Sequence, residues 1–123
     1  MGGAGRMNSL YIIWNNPKTK KSYKIGLLSR NNNYYSFSYG YQVNEAIKQG
    51  FVPFICFDDI NKTYYSKRMF PMFSSRLPSK RRKNIKNILD KYGLQEYDEF
   101  LLLQKSGGKL PIDNLEFKSE GDI

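Results

Sequence analysis

A chain of 123 residues with a formal charge of +9, 40% apolar and 15% aromatic, has the size and composition of one globular domain, not of a disordered segment. It holds no histidine and one cysteine, Cys56, which argues against Ser-His and Cys-His catalysis, against most zinc sites and against an internal disulfide, and fits a reducing cytoplasm. No apolar run approaches the roughly 20 residues needed to span a bilayer, and no hydrophobic leader follows Met1.

The opening MGGAGR before a second methionine, Met7, reads as a cloning scar, with Asn8 near the native beginning. Its glycines lack the Gly-Lys-Ser/Thr and the preceding strand of a phosphate loop. Residues 10–14 (LYIIW) are β-formers and predict a first strand, punctuated by Asn15-Asn16-Pro17. Residues 23–28 (YKIGLL) predict the returning strand, and Asn31-Asn32-Asn33 the next turn, because Asn tolerates positive φ. Residues 34–39 (YYSFSY) predict a third strand with Tyr35, Phe37 and Tyr39 on one face. Val43, Ala46 and Ile47 share a helical face, with Gly50 as the stop. The apolar run at 51–57 (FVPFICF) reads as a buried strand in which Pro53 requires an edge or a kink, and which makes Cys56 a buried, inert thiol. A short extended piece follows around Tyr64-Tyr65.

Residues 70–92 (FPMFSSRLPSKRRKNIKNILDKY) are the stretch around which the chain is organised. An aromatic, proline-stiffened turn, whose Phe70 and Phe73 either anchor it to the core or make the corner a docking surface, leads through Arg76-Leu77-Pro78 into a basic amphipathic helix. Pro78 is expected at its first turn, Ser79 or Ser75 as its cap, Ile85, Ile88, Leu89 and Tyr92 on its apolar face, and Gly93 as its left-handed end. Between Lys67 and Lys91 stand nine Lys or Arg and one acid, a net +8, so the basicity has a location. A second helix is expected over 94–105, with Tyr97, Phe100 and Leu101 buried and Asp98 and Glu99 near its positive end. The tail at 110–117 reads as an extended packing segment. Residues 118–123 read as a frayed tail or a truncation point before another domain, which leaves 8–117 as one domain. The expected class is α+β, a curled antiparallel sheet of short strands covered by a C-terminal pair of helices.

The run Lys80, Arg81, Arg82, Lys83 with Lys86 reads either as a solvated face or as a patch for an anionic partner, whether nucleic-acid phosphates or an acidic protein surface. Asp58-Asp59 and Asp98-Glu99 are adjacent carboxylates whose side chains diverge, so turn and helix-start chemistry accounts for them. No metal site and no cofactor motif is visible.

Phe70-x-x-Phe73, Leu77-Pro78, Arg81-Arg82, Tyr92-Gly93-Leu94, Asp98-Glu99-Phe100-x-Leu102-Leu103 and Ser106-Gly107 follow in that order. This arrangement resembles the N-terminal subdomain of HipA-type serine/threonine kinases. The same unit occurs as a small separate HipS-like protein of three-component toxin–antitoxin systems. It is also similar to the N-terminal segment of Gram-positive bacterial proteins that carry a HIRAN domain. The likeness is specific from about residue 70 to 107. Ser79-Lys80 stands where the pattern has an acid after the proline, and Gly108-Lys109-Leu110 replaces a Gly-Ala run. No Gly-rich loop after a strand, His-Arg-Asp or Asp-Phe-Gly is present, so the resemblance implies a non-enzymatic, cytoplasmic interaction domain. Its partner would be a HipA-type kinase or a HIRAN-like domain, contacted through Phe70, Phe73, Arg76, Arg81 and Arg82. The alternative is a nucleic-acid-binding module using Lys80, Arg81, Arg82, Lys83 and Lys86. Neither reading assigns an oligomeric state.

Overall fold

A computed structural model describes residues 8–120 of the chain. The expected cloning scar, residues 1–7, and the end of the expected frayed tail, 121–123, lie outside the described residues. The fold is α+β. Strands β1 (Asn8–Asn15), β2 (Ser22–Asn31) and β3 (Tyr34–Tyr39) form a meander, followed by α1 (Val43–Lys48), β4 (Tyr64–Ser66), α2 (Pro71–Ser74), α3 (Ile85–Lys91), α4 (Glu99–Ser106) and β5 (Leu115–Lys118). The five strands make one open sheet in the order β4-β3-β2-β1-β5, with every neighbouring pair antiparallel.

The meander follows from the alternation of its side chains. Leu10 pairs with Leu28 and Leu28 with Phe37, and all three are fully buried on one face. The register shifts between Ile12 and Ile13, where Ile25 is the extra residue of a bulge, a feature that bends a strand and strengthens its twist. The β1–β2 turn is held by Asn16, whose Oδ1 accepts from the amides of Lys18 (2.9 Å) and Thr19 (3.4 Å). Its left-handed residue is Lys20, at φ 65°. The β2–β3 hairpin closes on Asn32-Asn33 as expected, but without positive φ there.

The expected strand over 51–57 is absent. Its aromatic residues recur every third position, and a strand would send alternate residues inward. The chain instead winds through turns that bury Phe51, Phe54 and Phe57 and expose Val52, Ile55 and Cys56. Cys56 is therefore a surface thiol, not a core one. The Tyr39 hydroxyl stitches this loop to the sheet: it accepts from the Phe54 amide at 2.9 Å and donates to the Phe57 carbonyl. Desolvation raises the Tyr39 phenol to about 12. Phe37 lies at the centre of the core, its ring 4.4 Å from Phe57, 4.9 Å from Tyr39, 5.8 Å from Phe73 and 5.9 Å from Phe54.

The helices differ from expectation in extent. The basic helix begins at Ile85, not at Pro78, because residues 79–84 contain nothing apolar to bury and pass through turns. Ser79 does not cap the helix; its Oγ accepts from the Arg81 amide two residues on. Gly93 does end it, at φ 73°. The last helix begins at Glu99, not at 94, because the Asp98 carboxylate caps it by accepting from the Leu101 amide at 3.1 Å. It buries Phe100, Leu102 and Leu103, while Leu101 is half-buried and Tyr97 lies before the helix. The C-terminal helices do not cover the sheet alone. The core cluster joins the sheet to α1, to the 51–57 loop, to Phe70 and Phe73 and to Phe100 and Leu103 of α4. β5 then returns to pair with β1, closing that flank of the sheet.

Candidate interaction surface

The corner between β4 and α3 places the residues that the sequence singled out. Phe70 precedes α2 and Pro71 opens it, which aims Phe73 inward. Phe73 is 0% exposed and contacts the rings of Phe37, Phe57, Phe70 and Phe117. Phe70 is buried against Phe57 at 5.1 Å. Arg76 is also internal, its side chain 4% exposed. Its Nε donates to the Gly108 carbonyl at 2.6 Å, and its two terminal nitrogens form a fork on the Asp113 carboxylate at 2.8 and 2.9 Å. The guanidinium lies over the Phe117 ring at 5.5 Å. The hydrogen bond from Arg76 is the main cause that holds the Asp113 carboxyl below its ordinary value. Phe70, Phe73 and Arg76 thus fasten the corner and the tail to the core, and their side chains are not available at the surface.

The other expected site residues are fully at the surface. Lys80, Arg81, Arg82, Lys83 and Lys86 are all exposed. Among the described residues none of the five joins an ion pair; the four ion pairs use Arg30, Arg76, Lys109 and Lys118. Four of these cations sit on the turns before α3 and one on the helix, so they do not form a stripe along one helix.

Two clefts flank the Leu77-Pro78 corner. The first, about 660 Å³, runs between the corner and the start of α4. Arg30 forms its wall, donating from one nitrogen to both Asp98 oxygens at 2.8 Å and lying over the Phe100 ring at 4.9 Å. Tyr97 donates its hydroxyl to the Pro78 carbonyl at 2.7 Å and so ties the corner to the start of α4. Burial, and then the neighbouring Asp98, push the Glu99 carboxyl up; burial and then Glu99 do the same to the Tyr97 phenol. The second cleft, about 520 Å³, lies between the corner, α3 and the segment after α4. Leu77, Ile88, Tyr92 and Leu110 are half-buried there, and Arg82, Lys91 and Lys109 stand around them.

Sequence reasoning missed Arg30, Asp113 and the joint role of Asp98 as cap and ion-pair partner. The only available signal for Asp113 was an acid set, like Glu116, among the recurring apolar residues of the 110–117 tail. Among the described residues no three His, Cys, Asp or Glu side chains group as a metal site, and no helix is long and apolar enough to cross a membrane.

A family model described as the HipA N-terminal domain matches residues 19–111. The chain belongs to this family. No curated protein and no solved structure matches it. In this HipA N-terminal domain the matched range contains both clefts, the buried Phe70–Phe73–Arg76 corner and the exposed basic patch. It begins after β1 and ends before β5, the two strands that pair with each other at one flank of the sheet.

Proposed function

We propose that this chain is a non-catalytic protein-interaction domain that docks on another domain, either a HipA-type kinase in a toxin–antitoxin setting or an adjoining HIRAN-like domain. The observation that carries the reading is the patch of five exposed cations, none in an ion pair among the described residues, on the family's matched region. Leaving like charges clustered opposes folding slightly, and an acidic partner surface relieves that repulsion. Arg81 and Arg82 are the central contacts, since a planar guanidinium pairs with a carboxylate through two bonds at once. Phe70, Phe73 and Arg76 support the patch from behind by fixing the corner. The non-catalytic part of the reading is supported by the surface thiol: partial desolvation pushes Cys56 up, and among the described residues its hydrogen-bond neighbour is the Met72 sulfur at 3.6 Å.

The test is co-purification and calorimetry with a HipA-type kinase and, separately, with a HIRAN-like domain. The variant carrying Arg81→Glu and Arg82→Glu is expected to fold normally and to lose binding. Undiminished binding by that variant overturns the reading. A mobility shift on duplex and single-stranded DNA at about 50 and 200 mM salt runs alongside, because phosphate contacts weaken steeply across that range. DNA binding that collapses with salt and with the same reversal would replace protein docking with nucleic-acid binding.

A further inference from the structure

We infer that the 520 Å³ groove between the Leu77-Pro78 corner, α3 and the segment after α4 is a seat for an acidic peptide segment that carries apolar side chains. The inference rests on the interaction-domain reading and gives the partner's chemistry. Three observations support it. Apolar side chains supply part of the lining: Leu77, Ile88, Tyr92 and Leu110 are each half-buried, so each still presents carbon to solvent. The charged side chains that line the groove are all cationic. Finally, the volume lies within the roughly 300–1,000 Å³ of pockets that bind ligands.

The cations are not equivalent. Arg76 is already neutralised by Asp113, and Lys109 approaches Glu116 at 3.3 Å while remaining 68% exposed. Arg82 and Lys91 have no carboxylate partner among the described residues, although Lys91 lies over the Tyr92 ring at 5.4 Å. The rim therefore carries uncompensated positive charge above a surface that gains by burying carbon. A second copy of this chain fits poorly, because it carries the same +9. Nucleic acid would satisfy the rim but not the aliphatic side chains, and the lining offers a single ring for stacking, Tyr92. An acidic segment with Leu- or Ile-like side chains satisfies both, with apolar anchors in the groove and carboxylates at Arg82 and Lys91.

The experiment uses the whole chain and a fluorescein-labelled peptide of Leu and Glu set in a Gly/Ser background. Control peptides carry Ser for Leu, or Lys for Glu, and a single-stranded oligonucleotide of equal length competes. Fluorescence anisotropy gives affinity, and amide shifts in a nitrogen–proton correlation spectrum give location. The Leu/Glu peptide is expected to shift Ile88, Tyr92 and Leu110 and to bind more tightly than either control. Lys91→Glu is expected to weaken it about tenfold, the size of reversing one solvent-exposed charge near contact after salt screening. Leu110→Asp is expected to abolish binding, with the unperturbed remainder of the spectrum showing that the variant folds.

No binding at peptide concentrations up to about 1 mM overturns the inference, as do shifts that map elsewhere or equal binding by the Ser-for-Leu control. Tighter binding by the oligonucleotide at the same amides overturns it in favour of nucleic acid. Kinase binding that survives Lys91→Glu and Leu110→Asp but not the Arg81/Arg82 reversal leaves the docking reading standing and removes only the groove.

Discussion

Arg76→Ala separates a structural role for this residue from a contact role. The guanidinium is 4% exposed and makes three hydrogen bonds, two to Asp113 and one to the Gly108 carbonyl. Breaking a buried pair from one side costs about 3–5 kcal/mol, because the remaining partner loses both its bond and its solvation. Asp113 is 33% exposed, however, so water recovers part of its solvation and the cost falls to the low end, about 3 kcal/mol. At about 4 °C per kcal/mol for a chain of this length, the melting temperature should fall by about 12 °C. Urea unfolding of Arg76→Ala, Asp113→Asn and the double variant should show a coupling of about 1–2 kcal/mol. The pH dependence follows from the direction of the Asp113 shift. Its folded value is depressed, chiefly by the Arg76 hydrogen bond, so the stabilisation is present above the unfolded value and lost as pH falls through the folded one. The gap between the natural chain and Arg76→Ala should therefore narrow in acid. A variant that unfolds within about 0.5 kcal/mol of the natural chain but fails to bind a partner would refute the reasoning and return Arg76 to the contact surface.

Tyr39→Phe removes the hydroxyl that holds the Phe54 amide and the Phe57 carbonyl, and should cost about 1–3 kcal/mol and accelerate amide exchange in residues 51–57. Since desolvation raises that phenol from 10.0 to about 12, its contribution should be complete below pH 10 and vanish as pH rises through about 12, an alkaline loss that Tyr39→Phe lacks in a circular-dichroism titration. Gly26→Ala places a Cβ 2.6 Å from the Phe37 ring at the centre of the core, and should destabilise by about 1–3 kcal/mol through overpacking, read as a lower urea midpoint. Asp98→Ala removes the cap of α4 and the partner of Arg30; a loss of about 1–2 kcal/mol, with weakened protection of the first turn of α4 in hydrogen exchange, is the expected result.

What the sequence by itself determined was local and periodic. The three-strand meander, the short helix ending at Gly50, the extended piece at Tyr64-Tyr65 and the α+β class were all legible, because alternation and helical spacing are properties of consecutive residues. The order of short motifs from Phe70 to Gly107 was enough to indicate the family that the match over 19–111 shows. The location of the charge was legible too, since counting needs no fold. What only the tertiary structure decided was which side of each motif faces the protein. The sequence left Phe70 and Phe73 open between core anchors and a docking surface and put Arg76 on the contact side. It is the aromatic cluster around Phe37 and a carboxylate 37 residues from Arg76 that take all three inside. Run 51–57 has the composition of a strand, but its aromatic side chains fit the core only at every third position, so the chain turns instead and leaves Cys56 outside. The basic segment starts its helix late for the same kind of reason: between Ser79 and Asn84 there is charge and no apolar side chain, and packing, not propensity, sustains a helix this short.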